Sequence, residues 1–241
     1  MMQFSGKTYW LIGASEGLGR ELARELCRAG ARLILSARNA ERLESLCAEL
    51  SDAQTMVLDV TDTLAVREAV NGIGSIDGVI YNVGTYEPMR ATEWDTEVAL
   101  MMVDVNFIGA LRVLGELVPR FMQAGHGDIT LIGSLAGYRG LPASIGYGAS
   151  KAALISLAET MRHDLKGSGV VVRVVNPGFI KTRLTEKNDF KMPMLMAPEK
   201  AAKYVLKSMR SSRFRTDFPA PFSWLIRLLK FLPDIFMYRC K

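Results

Sequence analysis

Tyr147 and Lys151 stand four residues apart in the run Gly146-Tyr147-Gly148-Ala149-Ser150-Lys151. On a helix that spacing puts a phenol and an ammonium on one face, a turn apart. The adjacent positive charge would lower the pKa of the phenol, so that it could exchange a proton near neutral pH. Most such pairs are surface coincidences, and the setting is what distinguishes this one. Upstream, an apolar run that reads as a strand ends Ile132-Gly133-Ser134. In open parallel sheets ligands bind at the carboxyl ends of the strands, so the Ser134 hydroxyl can bond the same substrate oxygen as Tyr147. The three groups together could move a proton to or from a carbonyl or alcohol oxygen.

A second constellation, Gly13-Ala14-Ser15-Glu16-Gly17-Leu18-Gly19, lies between a strand-like run and a helical pattern. Glycines there let backbone N–H groups and a helix N-terminus approach a pyrophosphate, and Gly19 permits close helix packing. In dinucleotide sites an acid about twenty residues further on would hold the ribose hydroxyls of NAD. Here the segment reads Leu35-Ser36-Ala37-Arg38-Asn39, with Ala37 at the acid's place and Arg38 after it. A guanidinium suits a 2′-phosphate, so NADP(H) is expected over NAD(H). Glu16, beside the loop, stands against a second cation at that point.

These residues need a scaffold, and the pattern supplies one. Short apolar runs at Thr8–Ile12, Arg32–Ala37, 55–60, 78–82, 128–132 and 170–175 alternate with helical patterns at 18–29, 40–50, 62–70, 98–122, 147–166 and Pro198–Met209. That alternation predicts an α/β fold: a doubly wound (Rossmann) parallel sheet of about seven strands with helices on both faces. Residues 1–241 are expected to form a single NAD(P)-binding domain, with 179–241 contributing a substrate lid and an apolar C-terminal helix.

Composition narrows the function classes. The chain is 49% hydrophobic and 23% charged, enough apolar material for a large core. Its net charge of +5 is spread among 25 acidic residues, without the basic arm or aromatic-basic array of a nucleic-acid binder. The three cysteines, Cys27, Cys47 and Cys240, show neither pairing nor metal spacing, and no signal peptide is evident, so a cytoplasmic location is expected. His126 and His163, the two histidines, lack metal-ligand neighbours, and no metal site is expected.

The joint pattern resembles the short-chain dehydrogenase/reductase superfamily over nearly the whole chain, with Ser134 thirteen residues before Tyr147 and Lys151 four after it. The resemblance implies Tyr147 as general acid or base, Ser134 orienting the carbonyl, and Lys151 also bonding the nicotinamide ribose. It implies that Asn106, in Val105-Asn106-Phe107-Ile108-Gly109, positions a proton-relay water. It further implies adenine contacts from Asp59 and Val60, and a ribose-lining segment Asn82-Val83-Gly84. The nicotinamide carboxamide would be seated by Pro177, Gly178, Ile180 and Thr182. Asp62 reads equally as a helix N-cap. Ile12 and Val83 depart from the family's commoner threonine and alanine, at places where backbone makes the contacts.

The expected activity is NADPH-dependent hydride transfer to or from a carbonyl or secondary alcohol of a hydrophobic small molecule. A β-ketoacyl-thioester reductase of lipid synthesis is the rival within enzymes, and a non-catalytic NADP-binding regulatory protein is the rival outside them. The resemblance also implies a homodimer or homotetramer built on the helices at 98–122 and 147–166. In the tail, Phe222, Leu225, Ile226, Leu229 and Leu232 share one helical face, with Ser223, Arg227 and Lys230 opposite. That helix could cover the core, form a lip of the substrate pocket, or touch a membrane surface.

Overall fold

The structure, a computed structural model, describes residues 4–229 and 231. The sheet has seven strands: β1 (Thr8–Ile12), β2 (Arg32–Ala37), β3 (Ala53–Val57), β4 (Gly78–Tyr81), β5 (Gly127–Ile132), β6 (Val170–Pro177) and β7 (Arg215–Phe218). All neighbours pair parallel in the order β3-β2-β1-β4-β5-β6-β7. Parallel strands need crossovers, and the helices supply them: α1 (Gly17–Arg28), α2 (Ala40–Cys47), α3 (Thr63–Gly72), α4 (Thr96–Val103), α5 (Gly109–Ala124), α6 (Ile145–Asp164), α7 (Pro198–Met209) and α8 (Phe222–Leu229).

The period-two alternation of strand side chains divides the core into two layers. Trp10, Ile12, Val79 and Tyr81 face one layer, with Val66 of α3, Val113 of α5 and Leu154 of α6. Tyr9, Leu11 and Ile80 face the other, with Leu22 of α1, Leu43 of α2 and Val205 of α7. Because both faces are covered, β4 and β5 are buried along their whole lengths. The chain order reverses between β1 and β4, which opens a crevice at their carboxyl ends.

Helix starts are set by short polar side chains. Asn39 accepts from Arg42 N (2.8 Å), and Asp62 accepts from Leu64 N and Ala65 N (2.9 and 3.0 Å), so Asp62 is the N-cap of α3. The third strand lies at Ala53–Val57, earlier than the expected 55–60. Asp59 accepts from both Thr61 N and Thr61 Oγ1 and turns the chain out of the sheet. The last strand, β7, reads Arg-Thr-Asp-Phe and carries too little apolar alternation to be found by periodicity. The expected helix at 98–122 is a longer continuous one, Thr96–Ala124, apolar and long enough to cross a membrane. In the fold it packs on α3 and α6, and a π-turn at Asp104–Ile108 interrupts it.

The C-terminal helix corrects the expected buried stripe. α8 buries Ser223 and Ile226, while Leu225 faces solvent; Leu232 lies outside the described residues. Local anchors set this rotation: Ser223 N donates to Pro219 O (2.8 Å), and Arg227 reaches Asp217 of β7 (3.3 Å).

A charged cluster sits inside the sheet. Arg173 of β6 pairs with Asp128 of β5, and Tyr9 Oη of β1 donates to Asp128 Oδ2 at 3.0 Å, all three being buried. Burial pushes both the Asp128 carboxyl and the Tyr9 phenol up, with Arg173 opposing. Asp128→Ala takes the carboxylate partner from the buried Arg173 guanidinium, and we expect a loss of about 3 kcal/mol in urea unfolding. A loss near zero would show that the pair is dispensable.

Candidate active site

The glycine loop occupies the crevice between β1 and β4. Gly13 N and Ala14 N donate to Ser36 O of β2 (2.7 and 3.1 Å), and Asn82 Nδ2 donates to Gly13 O (2.8 Å). Gly13 has φ +88°, and a Cβ there would lie 2.8 Å from Val83 N. A Cβ on Gly19 would lie 1.9 Å from Gly13 O, so α1 rests directly on the turn. α1 starts at Gly17 with no side-chain cap from Glu16, which leaves its first N–H groups available to an anion. Bare backbone, uncapped donors and a close-packed turn fit a dinucleotide pyrophosphate. Ser15 is half-buried in this turn, whereas Leu18 packs its side chain into the core and offers only backbone.

Charge around the loop is arranged differently from expectation. The Glu16 carboxylate is held by Arg42 (2.7 Å) and by Arg183 Nε (3.1 Å), which bring two further cations to the loop. Arg38 is exposed at the end of β2, 3.9 Å from Asp59. Asp59 is partly buried, which would raise its pKa, but the Thr61 hydrogen bonds and the Arg38 charge hold it below the usual range. The Val60 side chain is buried against Gly109 of α5, and Arg112 donates to its carbonyl (3.3 Å), so only its N–H remains for a ligand.

Ser134, Tyr147, Lys151 and Asn106 come together across the same crevice. Ser134 Oγ accepts from Ala136 N (3.1 Å), and its hydroxyl, beside the Tyr147 phenol, favours the phenolate. Lys151 Nζ is buried and donates to Ile132 O (2.9 Å); burial pushes its pKa down to about 8. Burial pushes the Tyr147 phenol up, with the Ser134 hydroxyl opposing, so the phenol lies above its ordinary value rather than below it. The ammonium is turned to Ile132 O and stands 5.9 Å from the centre of the phenol ring.

Asn106 lies on the π-turn, fully buried. Its Oδ1 accepts from Thr85 N (2.7 Å), and its Nδ2 donates to Thr85 O and to Ser150 Oγ (both 3.0 Å). Ser150 Oγ in turn donates to Tyr147 O (2.8 Å). A Cβ on Gly84 would stand 3.7 Å from both Asn106 Oδ1 and Lys151 Nζ, so the bare backbone at Gly84 faces both groups.

The opposite wall follows β6. At the Pro177-Gly178 end of that strand, Gly178 N donates to Phe218 O (2.7 Å), and a Cβ on Gly178 would touch Leu135 and Phe222. Ile180 bridges to Met196, and the Thr182 methyl would lie 2.9 Å from a Cβ on Gly17, so this segment arches over the glycine loop. The Tyr86 ring meets Tyr147 edge-on at 5.1 Å, and Tyr86 Oη donates to Asn188 Oδ1 (2.9 Å). Lys187 pairs with Glu87, and Phe179 contacts both Phe190 (5.7 Å) and Phe222 (5.9 Å). Behind Ser134, Asp217 accepts from Tyr138 Oη (2.6 Å) and Asn176 Nδ2 (2.9 Å), tying the serine loop to β6 and β7. Sequence reasoning missed Tyr86, Arg42, Arg183 and the Asp217 network. Their partners lie far away in the chain, and no motif marks them.

A family model described as short chain dehydrogenase matches residues 7–192. The chain belongs to this family. It is 34% identical over 242 residues to an uncharacterized oxidoreductase of Myxococcus xanthus, covering 97% of this chain and 96% of the relative. It is 32% identical over 188 residues, 78% of each chain, to the 3-oxoacyl-(acyl-carrier-protein) reductase FabG of Rickettsia bellii. A short-chain dehydrogenase of Burkholderia cenocepacia, solved in complex with NADP, superposes with a TM-score of 0.86 at 25% identity, covering 98% of both chains. This short-chain dehydrogenase is therefore an oxidoreductase with a nicotinamide cofactor.

The buried amine gives a test with a definite sign. The folded chain gives up the Lys151 proton near pH 8, whereas the unfolded chain holds it to the ordinary value of 10.5. Between those values the unfolded state binds more protons, so stability rises with pH across the window. In cofactor-free protein, Lys151→Met should remove up to about 3 kcal/mol of that rise, read from urea midpoints. Parallel curves for the two proteins would contradict the buried-amine assignment.

Proposed function

We propose that this short-chain dehydrogenase is an NADPH-dependent reductase of carbonyl compounds, working reversibly on secondary alcohols, with a hydrophobic substrate. The observation that carries the reading is the convergence of the Ser134–Tyr147 pair, the buried Lys151 and Asn106 on one crevice lined by the glycine loop. When bound, the nicotinamide supplies the hydride for reduction or accepts it in the reverse direction. Ser134 and Tyr147 both donate to the carbonyl oxygen, which fixes the orientation of the reacting carbon and stabilises negative charge developing on oxygen. Tyr147 then gives its phenolic proton to that oxygen. Lys151 favours the phenolate left behind by its positive charge once it turns from Ile132 O. Asn106, fixed by Thr85 and Ser150, holds the relay water that restores the proton. In oxidation the same groups run the proton in reverse.

Gly13, Ser15, Glu16, Gly17, Leu18 and Gly19 would surround the pyrophosphate, chiefly through backbone. Asp59, Val60, Asn82 and Gly84 would line the adenosine side, and Pro177, Gly178, Ile180 and Thr182 the nicotinamide side. Arg38 at the end of β2, with Arg42 close by, supports NADP(H) over NAD(H), because guanidinium groups bind a phosphate with charge-assisted bonds. The NADP complex of the Burkholderia protein is consistent with that preference. Tyr86, Phe179, Phe190 and Phe222 make an aromatic wall suited to an apolar substrate. The Rickettsia relative keeps a second reading in play, reduction of a β-ketoacyl thioester. The intact proton-transfer set weighs against a non-catalytic NADP-binding regulator.

We place the whole chain in a single domain, with the segment from 179 onward acting as substrate lid and C-terminal helix. Exposed Leu100, Met101, Leu111 and Met122 on α4 and α5 support a homodimer or homotetramer through these helices and α6. The free Cys27 and Cys47 support a cytoplasmic setting.

Oxidation of NADPH and NADH across a panel of small ketones, aldehydes and acyl-carrier thioesters tests the reading. Tyr147→Phe should cut turnover by about a hundred- to ten-thousand-fold while NADPH still binds. The wild type should use NADPH more efficiently than NADH. Undiminished turnover by the variant would remove Tyr147 as the acid, and a preference for NADH would remove the role of Arg38.

A further inference from the structure

We infer that α8 and the arginine-lined cleft beside it form a surface that docks on an anionic phospholipid bilayer. The helix is seated with its larger apolar residues outward. Trp224, Leu225 and Leu228 are 63%, 57% and 62% exposed, and Phe231 just beyond the helix is 79% exposed. The inward face carries Ile226 and the small Ser223, whose Oγ is buried with no hydrogen-bond partner among the described residues. An outward face of one tryptophan, two leucines and a phenylalanine is costly in water and has the composition of an interfacial helix.

Charge beside this face selects the occupant. An open cleft of about 600 Å³, between the end of α6, β7 and α8, is lined by Arg162, Arg213, Arg215 and Arg227. Glu159 is the acid of this lining, and it pairs with Arg215, while Arg227 reaches Asp217. Among the described residues Arg162 and Arg213 have no carboxylate partner. The Arg162 guanidinium lies 4.7 Å over the Phe214 ring, which holds it in place at the cleft. The sequence that continues from α8 adds Lys230, Arg239 and Lys241 against Asp234. Apolar side chains flanked by uncompensated arginines match a bilayer whose headgroups are negative. A second copy fits less well, because a two-fold contact through this patch would bring arginine cluster toward arginine cluster.

The surface also adjoins the mouth of the site. Phe222, the first residue of α8, contacts Phe179, which contacts the half-exposed Phe190 of the lid. An apolar path therefore runs from the outward face of α8 to the aromatic wall. The docking itself does not depend on the reaction assigned above, since it is measured without turnover.

The test is sedimentation of the full chain with vesicles of phosphatidylcholine alone or mixed with phosphatidylglycerol, at low and high salt. The chain should bind the mixed vesicles, bind pure phosphatidylcholine much less, and be released by salt. The double variant Trp224→Ser/Leu228→Ser should lower partition by about tenfold or more, and Arg213→Glu should lower the preference for anionic vesicles. Both should reduce a small water-soluble carbonyl as well as the parent does. Absence of vesicle binding, or equal binding to neutral and anionic vesicles, overturns the inference. So does a parent dimer that the double variant converts to monomer in sedimentation velocity, which would show the face covered by a second copy.

Discussion

A lysine ammonium held out of water dictates much of the architecture around the site. Removing such a charge from solvent costs several kcal/mol after relaxation, and here one carbonyl, Ile132 O, receives it. That bond ties the carboxyl end of β5 to α6 and so fixes the register of the helix against the sheet. With Lys151 beneath β5, Tyr147 one turn earlier must lie beside Ser134. The serine loop passes close enough that a Cβ on Gly137 would stand 2.8 Å from the Lys151 carbonyl carbon, and one on Gly133 would overlap Asn176 Oδ1. The loop cannot move away without opening the amine to water.

The π-turn is the second fixed point. An extra residue in a helical turn redirects side chains and frees backbone groups. Tyr81 Oη takes up one of them by donating to Val105 O (2.6 Å). The turn delivers Asn106 inward, where Thr85 and Ser150 use its amide on both sides. Through Ser150 the asparagine is tied to the backbone of Tyr147, so Tyr147 and Asn106 are braced from α6, from the π-turn and from the loop after β4.

What could be read from the sequence was whatever rests on local spacing. Ser134, Tyr147 and Lys151 are set by helix geometry and a strand end. The glycine loop and six of the strands are set by turn chemistry and alternation. Asp62 reads as a cap because capping is decided within three residues. What could not be read depends on distant partners. The two arginines on Glu16 come from 26 and 167 residues away, and Tyr86 matters only because the segment bearing Asn188 folds back onto it. β7 is held by its pairing with β6 rather than by its own pattern. The rotation of α8 follows its anchors at Pro219 and Asp217 rather than its apolar periodicity. Burial of the Tyr147 phenol and the turn of Lys151 toward Ile132 O also lie beyond what the spacing of the pair reveals.

On the proposed reading these features make one arrangement: a dinucleotide cradle on β1 and α1, a proton-transfer set on β5, α6 and the π-turn, and an aromatic wall from the segment after β6 and from α8. The most direct test is a crystal structure of the chain with NADP⁺ bound. The pyrophosphate should run along Gly13–Gly19, with the nicotinamide ring between Tyr147 and the Pro177-Gly178 turn. A dinucleotide seated elsewhere, or a Tyr147 side chain turned out of the crevice, would contradict the account.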